Sequence, residues 1–211
     1  MMKLGLWLAE KGFIPDFLLR VAIRKLSLTR LKDKSLLSEK SKIAASFKEG
    51  PIAEQTLEAN EQHYEVPPSF FTKVLGKNLK YSCCFYETQK ETLIEAEEKM
   101  LELYLSRAEI CDGQNILDLG CGWGSFSLFA AKRFPNSVFT SISNSQDQIN
   151  FINEEAKSRG LSNIKACKVD INDLNLEDKF DRIVSIEMFE HMRNYEKLLS
   201  KVANMLTENG K

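Results

Sequence analysis

A short apolar run that leads into a glycine-rich turn constrains the fold of this chain more than any other feature of its sequence. The run Asn115–Leu119 has the length and composition of a buried strand, and Gly120-Cys121-Gly122-Trp123-Gly124 follows it directly before a helical pattern begins. A strand that passes through such a turn into a helix is typical of an open parallel α/β sheet, where ligands bind at the carboxyl edge of the strands. The turn therefore predicts both the α/β fold class and the edge of the sheet that binds a ligand.

Strands and helices alternate along the chain from Leu93 onward. We predict strands over Asn115–Leu119, Val138–Ile142, Ile164–Val169 and Asp181–Ile186. We predict helices over Ile52–Tyr64, Ser69–Leu75, Leu93–Ala108, Trp123–Phe134, Ser145–Lys157 and Tyr195–Leu206. The alternation predicts a parallel sheet covered by helices on both faces. Because the sequence stops one residue after Gly210, where a further strand is expected, we expect the sheet to be truncated after its fourth strand and the sequence to be part of a longer protein.

The first part of the sequence has a different pattern. We interpret residues 1–62 as a helical extension and linker ahead of a ligand-binding domain over residues 63–211. Residues 1–34 are amphipathic, with a second helix starting near Pro15, and residues 1–32 carry seven basic and two acidic side chains. Such a segment either contacts an anionic membrane surface or caps a lipid-like substrate. The alternative is that it packs on the main domain with its basic face in solvent.

Basic and acidic residues nearly balance, at 29 and 30, so the formal net charge is −1. A chain with that balance is not built as a general polyanion binder, and we expect no nucleic acid partner. The five cysteines are odd in number and include no Cys-x-x-Cys pair, which argues against a disulfide framework and favours a reducing, cytoplasmic setting. With only two histidines the sequence predicts no metal site. No run approaches the roughly 18 apolar residues of a membrane span.

The turn has the spacing Gly-x-Gly-x-Gly and follows Asp118, and this pattern distinguishes between the classes of ligand that such a turn can bind. A dinucleotide site favours Gly-x-Gly-x-x-Gly with an acid near the end of the next strand. An acid ahead of the glycines suits S-adenosylmethionine, which has an ammonium for that acid, a carboxylate for the helix start and no pyrophosphate. Gly120 and Gly122 would let the backbone approach a ligand, and Gly124 would let the helix begin close to the strand. A plain βα turn and a nicotinamide dehydrogenase are the alternatives.

Six motifs extend this interpretation over most of the chain. They are His63–Pro67, Lys80–Tyr86, Ile116–Ser125, Ser141–Gln146, Asp181–Ile186 and Glu187–Met192. Through them the sequence resembles the S-adenosylmethionine-dependent methyltransferases of the cyclopropane-fatty-acyl-phospholipid synthase family, which includes the coclaurine-type N-methyltransferases. The resemblance runs from about His63 to the end of the chain. It implies a Rossmann-like class I methyltransferase sheet within an S-adenosylmethionine-binding domain over residues 63–211.

The resemblance also implies which residues bind the cofactor. They are Tyr81, Ser82, Asp118, Gly120, Gly122, Gly124, Ser141, Ile142, Asn144, Gln146, Asp170 and Ile171. The first two match residues that close over the methionyl part of the cofactor, and the last two match the segment that borders the adenine. The second predicted strand carries no acid that could bind the ribose. The family instead uses polar side chains at that position, and Ser141, Asn144 and Gln146 match them. For Ser141 and Asn144 the alternative is a strand-end and helix-cap role.

Two carboxylates and an imidazole, Glu187, Glu190 and His191, lie within five residues just past the fourth predicted strand. We expect desolvation beside the cofactor, together with repulsion between the carboxylates, to raise a carboxyl pKa, so that either glutamate serves as a base near neutral pH. The structural alternative for His191 is a local hydrogen bond at a helix start. The order Glu-x-x-Glu-His, with the other histidine distant in sequence, does not match a zinc-protease site.

The resemblance implies two possible chemistries. In cyclopropane synthesis the methyl carbon adds to a lipid double bond and a bound bicarbonate removes a proton; Cys83 and Glu190 match two ligands of that bicarbonate. In amine methylation an ammonium loses its proton and its lone pair attacks the methyl, and Glu187, Glu190 and His191 match the acidic and imidazole residues of the coclaurine-type enzymes. Glu187 favours an amine, because the cyclopropane enzymes usually have glycine there, while Cys83 keeps the bicarbonate site open.

We therefore predict an S-adenosylmethionine-dependent enzyme that transfers a methyl or methylene group to a small-molecule or lipid acceptor. Its catalytic residues would be Glu187, Glu190, His191 and Cys83. Amine N-methylation in place of lipid cyclopropanation is the first alternative, and a cofactor-binding module without catalysis is the second.

Overall fold

The computed structural model describes residues 2–32, 40–54 and 67–211. Within these ranges the sheet has four strands, β1 (Asn115–Leu119), β2 (Val138–Ser143), β3 (Ile164–Lys168) and β4 (Arg182–Val184). They lie in the order β3-β2-β1-β4 and pair in parallel, which confirms the predicted fold class. β4 ends two residues before the predicted Ile186, and the hydroxyl of Ser185, the next residue, donates to the Leu119 carbonyl of β1 (2.8 Å).

Eight α-helices lie within the described residues, and three of them begin at a residue whose side chain accepts from a backbone N–H of the first turn. In chain order they are α1 (Met2–Glu10), α2 (Asp16–Lys32), α3 (Lys40–Ser46), α4 (Pro68–Val74), α5 (Leu93–Arg107), α6 (Ser125–Arg133), α7 (Gln146–Ser158) and α8 (Tyr195–Met205). Thr92 caps α5 in a capping box with Glu95. Ser145 caps α7 as predicted, and Asn194 caps α8. α6 begins two residues later than predicted, because the glycine turn continues through Gly124.

Two apolar clusters cover the two faces of the sheet. Neighbouring residues of a strand point to opposite faces. On β1, Ile116 belongs to the cluster that includes residues of α5 and α6. Leu117 and Leu119 belong to the other cluster, with Leu198 and Met205 of α8. All three β1 residues are at most 1% exposed, which explains why β1 is apolar after Asn115 except at Asp118.

The chain forms two compact units, one up to Ser46 and one from Phe47 to Lys211. In the first unit α2 starts directly after Pro15, as predicted, and has no buried residue. Large apolar side chains of α1 and α2, including Trp7 and Phe17, are exposed. Among the described residues no helix is both long and apolar enough to cross a membrane. Membrane contact by this unit stays a prediction.

The segment after Pro51 differs from its predicted helix, Ile52–Tyr64. Ile52 and Ala53 are buried and not helical, because their backbone groups bond elsewhere. The Ile52 carbonyl accepts from the backbone N–H of Arg193 (2.7 Å), and the Asn172 side chain bonds both backbone groups of Ala53. The rest of the predicted helix, His63 and the predicted boundary between residues 62 and 63 lie outside the described residues, so that boundary stays a prediction.

Candidate active site

The three glycines of the turn after β1 all adopt left-handed backbone conformations, with φ of 85°, 53° and 77° at Gly120, Gly122 and Gly124. A Cβ on Gly120 would lie 2.6 Å from Cγ of Met188, and one on Gly124 would lie 2.7 Å from Cγ1 of Ile152. A Cβ on Gly122 would meet nothing within 4 Å. Two of the glycines are therefore required by packing against neighbouring segments, and Gly122 faces open space where a ligand can approach.

A cleft lies at the carboxyl edge of the sheet, as predicted. Its walls come from residues 53–54 and 79–82, from α5, the β1 turn, the end of β2 and the start of α7, and from the segments that follow β3 and β4. The predicted site residues that line it are Tyr81, Ser82, Asp118, Gly120, Gly122, Ile142, Asn144, Ile171, Glu187 and His191. The predicted residues that do not line it are Cys83, Gly124, Ser141, Gln146, Asp170 and Glu190.

Three of the residues outside the wall have partners within the fold. The buried Ser141 hydroxyl donates to the Ser127 hydroxyl (2.7 Å), and the Gln146 side chain donates to Oδ1 of Asn150 (2.9 Å) on the exposed side of α7. The Asp170 carboxylate accepts from the backbone N–H of Asn172 (2.8 Å). The Ser141 hydroxyl is thus used inside the domain, within β2 and not as a helix cap, and its role in cofactor binding stays a prediction.

Gln148 lies on the cleft wall, where the sequence analysis had placed Gln146. Its backbone N–H is capped by Ser145, and its Oε1 accepts from the Ser143 hydroxyl (2.6 Å). The side chain is 2% exposed, and its Nε2 has no hydrogen-bond partner among the described residues. A buried amide donor without a partner costs free energy unless a ligand accepts from it. The helical register was the available signal, since residues 145 and 148 share a turn of α7.

Further unpartnered donors lie beside the turn. The Ser125 hydroxyl and the Trp123 indole N–H are buried without a partner in the described part of the chain, and both residues line the cleft. The first backbone N–H groups of α6 are available at the same place. S-adenosylmethionine carries a carboxylate, ribose hydroxyls and ring nitrogens that accept hydrogen bonds. The donors present therefore fit this cofactor.

Asp118 is the acid that precedes the glycines, and it is 2% exposed. Burial raises its pKa to about 6, although a hydrogen bond from the Ser127 hydroxyl (2.5 Å) opposes the rise. No salt bridge joins Asp118 to a described cation. A buried carboxylate that faces the cleft without a cation suits a ligand ammonium.

Glu187 reaches the cleft from a strained backbone, with φ of 49°. Its Oε1 accepts from the backbone N–H of Cys83 (2.9 Å), and the Cys83 thiol also bonds the carboxylate. Partial burial raises the pKa of Glu187, but the two hydrogen bonds from Cys83 outweigh burial and lower that pKa overall. The expectation that the pKa of this carboxyl rises is therefore wrong, because hydrogen-bond donors surround it and favour the ionised form.

Glu190 and His191 lie in a single 3-10 turn, Phe189–His191, that follows Glu187. The Tyr195 hydroxyl donates to the Phe189 carbonyl (2.8 Å) and holds this turn against the start of α8. His191 lines the cleft with Glu187, whereas Glu190 does not. Of the predicted catalytic residues, the structure thus brings Glu187 and His191 to one wall, with Cys83 bonded behind Glu187.

A lysine and a tyrosine that the sequence analysis missed lie on the same wall. Lys80 is 4% exposed, and its Nζ donates to the hydroxyls of Tyr104 (3.1 Å) and Ser82. Nζ also lies 4.7 Å from the centroid of the Tyr104 ring. Burial lowers the pKa of Lys80 and raises that of Tyr104 to about 12. The signal in the sequence was Lys80 itself, a charged residue directly before Tyr81 and Ser82.

Among the described residues no group of three or more histidine, cysteine, aspartate or glutamate side chains could hold a metal ion. All five cysteines are free thiols.

The strand order, the glycine turn and the cleft at the carboxyl edge define a Rossmann-like class I methyltransferase domain. Residues 53–211 match the family model described as mycolic acid cyclopropane synthetase, and the chain belongs to that family. The resemblance inferred from the six motifs is thereby confirmed.

Two groups of relatives differ in their acceptors. The chain is 40% identical over 207 residues to (S)-coclaurine N-methyltransferase of Thalictrum flavum subsp. glaucum, covering 95% of this chain and 57% of the relative. It is 30% identical over 153 residues to cyclopropane-fatty-acyl-phospholipid synthase of Escherichia coli (strain K12), covering 71% and 38%. A crystal structure of coclaurine N-methyltransferase bound to N-methylheliamine and SAH superposes with a TM-score of 0.89 at 36% identity, covering 99% of this chain and 62% of that chain. The chain thus spans less than two thirds of the length of these relatives.

Proposed function

We propose that this protein transfers the methyl group of S-adenosylmethionine to the amine nitrogen of a small-molecule acceptor. The observation that carries the proposal is the Glu187 carboxylate, which lines the cleft beside His191 and is kept ionised by Cys83. A carboxylate that stays charged at neutral pH attracts a cationic ammonium and has no comparable partner in an apolar lipid chain. The identity to coclaurine N-methyltransferase supports the same acceptor class.

The cofactor would be held by the turn and by the donors beside it. Asp118 would face its ammonium, the start of α6 and Ser125 its carboxylate, and Gln148 one of its other acceptor groups. When bound, S-adenosylmethionine supplies an electrophilic methyl carbon on a sulfonium. Gly122, where no Cβ intervenes, leaves room for the approach.

The chain's own residues then have two tasks, binding an ammonium and removing its proton. Glu187 accepts a hydrogen bond from the ammonium and fixes the nitrogen at the cleft wall. His191, on the same wall, takes the proton as general base, which exposes the nitrogen lone pair for attack. Because the pKa of Glu187 is lowered, we assign it to binding and orientation and assign the imidazole to proton transfer.

The experiment supplies the full-length protein with methyl-labelled S-adenosylmethionine and two acceptor pools, a panel of aromatic secondary amines and vesicles of unsaturated phospholipid. We expect label on an amine and unchanged lipids, and we expect the same rate in buffer freed of carbon dioxide. Label in cyclopropane rings, with a rate that depends on bicarbonate, would establish the lipid reaction instead. Label in neither pool, with cofactor binding retained, would indicate a module without catalysis.

A matched pair of variants tests the assigned residues. Glu187→Gln keeps the shape of the side chain and removes its charge, so cofactor affinity should stay within about twofold while turnover falls by about 100-fold or more. Glu190→Gln changes a residue that does not line the cleft, and we expect a smaller loss. Equal losses in both variants would contradict the assignment of Glu187 to acceptor binding.

A further inference from the structure

The segment that carries Tyr81 and Ser82 to the cleft contains a strained residue. Leu79 has a φ of 51°, in the left-handed region that residues other than glycine seldom adopt. Such a conformation persists only where surrounding contacts hold it, and it is concentrated at functional sites. Leu79 belongs to the same buried cluster as Trp123 of the glycine turn, and both residues line the cleft. The strain therefore lies where residues 79–82 meet the proposed cofactor site.

A glutamate of α5 holds the residue before Leu79. Oε2 of Glu97 accepts from the backbone N–H of Asn78 (3.0 Å) and from its side-chain amide (3.4 Å). The backbone N–H of Leu79 donates to the carbonyl of Gly76 (3.0 Å), which closes the turn. A Cβ on Gly76 would lie 2.5 Å from Oε1 of Glu97, so glycine is needed there to leave room for the carboxylate.

The burial of Glu97 does not by itself favour folding. Its side chain is fully buried, and Oε1 has no hydrogen-bond partner among the described residues. No salt bridge joins Glu97 to a described cation, and a buried acceptor without a donor costs free energy. Burial lowers the pKa of Lys80, the second residue after Asn78, and the carboxylate of Glu97 opposes that effect. The chain thus keeps a costly side chain whose contacts lead to the segment facing the cleft.

We propose that Glu97 is a positioning residue for cofactor binding, which acts through Asn78 to hold Tyr81 and Ser82 at the S-adenosylmethionine site. Glu97 does not line the cleft, so its effect on a ligand passes through residues 78–82. The inference rests on the cofactor of the proposed function and not on its acceptor, since cofactor binding is measured without any amine.

The test measures the affinity of full-length variants for SAH by isothermal titration. Glu97→Ala removes the acceptor of both Asn78 donors and should weaken binding by about tenfold, whereas Glu97→Gln keeps an acceptor oxygen and should stay within about threefold of the wild type. Gly76→Ala should weaken binding as Glu97→Ala does, and it acts through the contact with the carboxylate because the backbone of Gly76 is not left-handed. Glu98→Ala changes the neighbouring residue of α5, which does not line the cleft, and should leave the affinity unchanged.

The two alanine substitutions should not add. In the double variant Gly76→Ala/Glu97→Ala the carboxylate that the new Cβ would meet is absent, so the loss of affinity should equal that of Glu97→Ala alone. Hydrogen exchange supplies a readout that a purely structural role would not move. In Glu97→Ala, SAH should still protect residues 118–126 and should no longer protect residues 76–82.

Unchanged SAH affinity in folded Glu97→Ala would overturn the proposal, as would full protection of residues 76–82 or additive losses in the double variant. If Glu97→Ala does not fold, Gly76→Ala is judged by the same affinity and exchange measurements. The proposed function fails separately: a wild type that binds SAH and methylates no amine would count against the acceptor and leave the role of Glu97 standing.

Discussion

Asp118 illustrates at the residue scale how a ligand-binding group can oppose folding. Its folded pKa of about 6 exceeds the value of about 4 for a solvated aspartate. The unfolded chain therefore loses this proton more readily, so the group opposes folding above about pH 6, and the penalty fades as the pH falls from about 6 to about 4. Its upper bound is about 3 kcal/mol.

We therefore expect Asp118→Asn to raise the free energy of unfolding of the ligand-free protein at pH 7.5 by about 1–3 kcal/mol, and to change it much less at pH 4.5. Urea denaturation at the two pH values measures this, and calorimetric titration should show weaker cofactor binding by the same variant. Ser127→Ala is the control: it removes a hydrogen bond to the carboxylate and should destabilise the protein at pH 7.5. An equal gain at both pH values would mean that folding does not raise the pKa of the Asp118 carboxyl.

Gln146 and Gln148 offer a matched comparison between sequence-based and structure-based assignments. Gln148 faces the cleft with an unpartnered donor, and Gln146 bonds Asn150 on the exposed side of α7. We expect Gln148→Leu to weaken cofactor binding by about tenfold, and Gln146→Leu to leave it within about twofold. Isothermal titration with S-adenosylmethionine decides between them. If Gln146→Leu weakened cofactor binding more than Gln148→Leu, Gln146 would be the cofactor-binding residue, as the resemblance implies.

At the scale of elements, Asn194 joins the start of α8 to the segment around Gly50. The fully buried side chain accepts from the backbone N–H of Lys197 and donates to the carbonyls of Lys48 and Gly50. The turn that carries His191 ends just before it. One side chain therefore caps a helix and fixes a distant segment.

We expect Asn194→Ala to lower the free energy of unfolding by about 1–3 kcal/mol, because it removes the cap and the hydrogen bonds to the carbonyls of Lys48 and Gly50. Asn194→Ser keeps a capping hydroxyl but cannot reach both carbonyls, so it should lose about half as much. Urea denaturation of the two variants measures the difference. Equal losses would show that the cap contributes nothing.

The elements that the sequence predicted well are those fixed by local pattern. The apolar run of β1, the glycine turn and the cap at Ser145 each depend on neighbouring residues, and all three were predictable. The segment from Ile52 was not, because Arg193 and Asn172 draw its backbone away from a helix through contacts that no local pattern contains.

The candidate site likewise has features that the local sequence predicted and features that depend on distant contacts. The edge of the sheet and the segments that form the cleft followed from the order of strands and the motifs. Which side chains face the cleft did not follow, because a shift of two positions along α7 separates Gln146 from Gln148. The pKa of Glu187 was predicted in the wrong direction, since its hydrogen bonds come from Cys83, far away in the sequence.

At the scale of the whole molecule, the cleft collects residues from seven separate stretches of the unit that starts at Phe47. A ligand that contacts all of these stretches stabilises them jointly, because its binding site exists only when all of them are folded. At a ligand concentration about 100 times its dissociation constant, the gain in stability is about 2.7 kcal/mol.

We expect hydrogen exchange in the presence of SAH to slow in those stretches together. They are residues 53–54, 79–82, 101–104, 118–126, 142–148, 169–171 and 186–192. Mass spectrometry of peptides with and without SAH measures the protection, and Asp118→Asn serves as a control with weakened binding. Protection confined to the glycine turn would contradict a cofactor site that spans the cleft.

The left-handed conformation at Glu187 also bears on how such a chain can change over generations. Glycine and glutamate codons can differ by a single base, GGA against GAA, and the backbone here accepts glycine at least as readily as glutamate. One point mutation can therefore add or delete the acid without any rearrangement of the main chain.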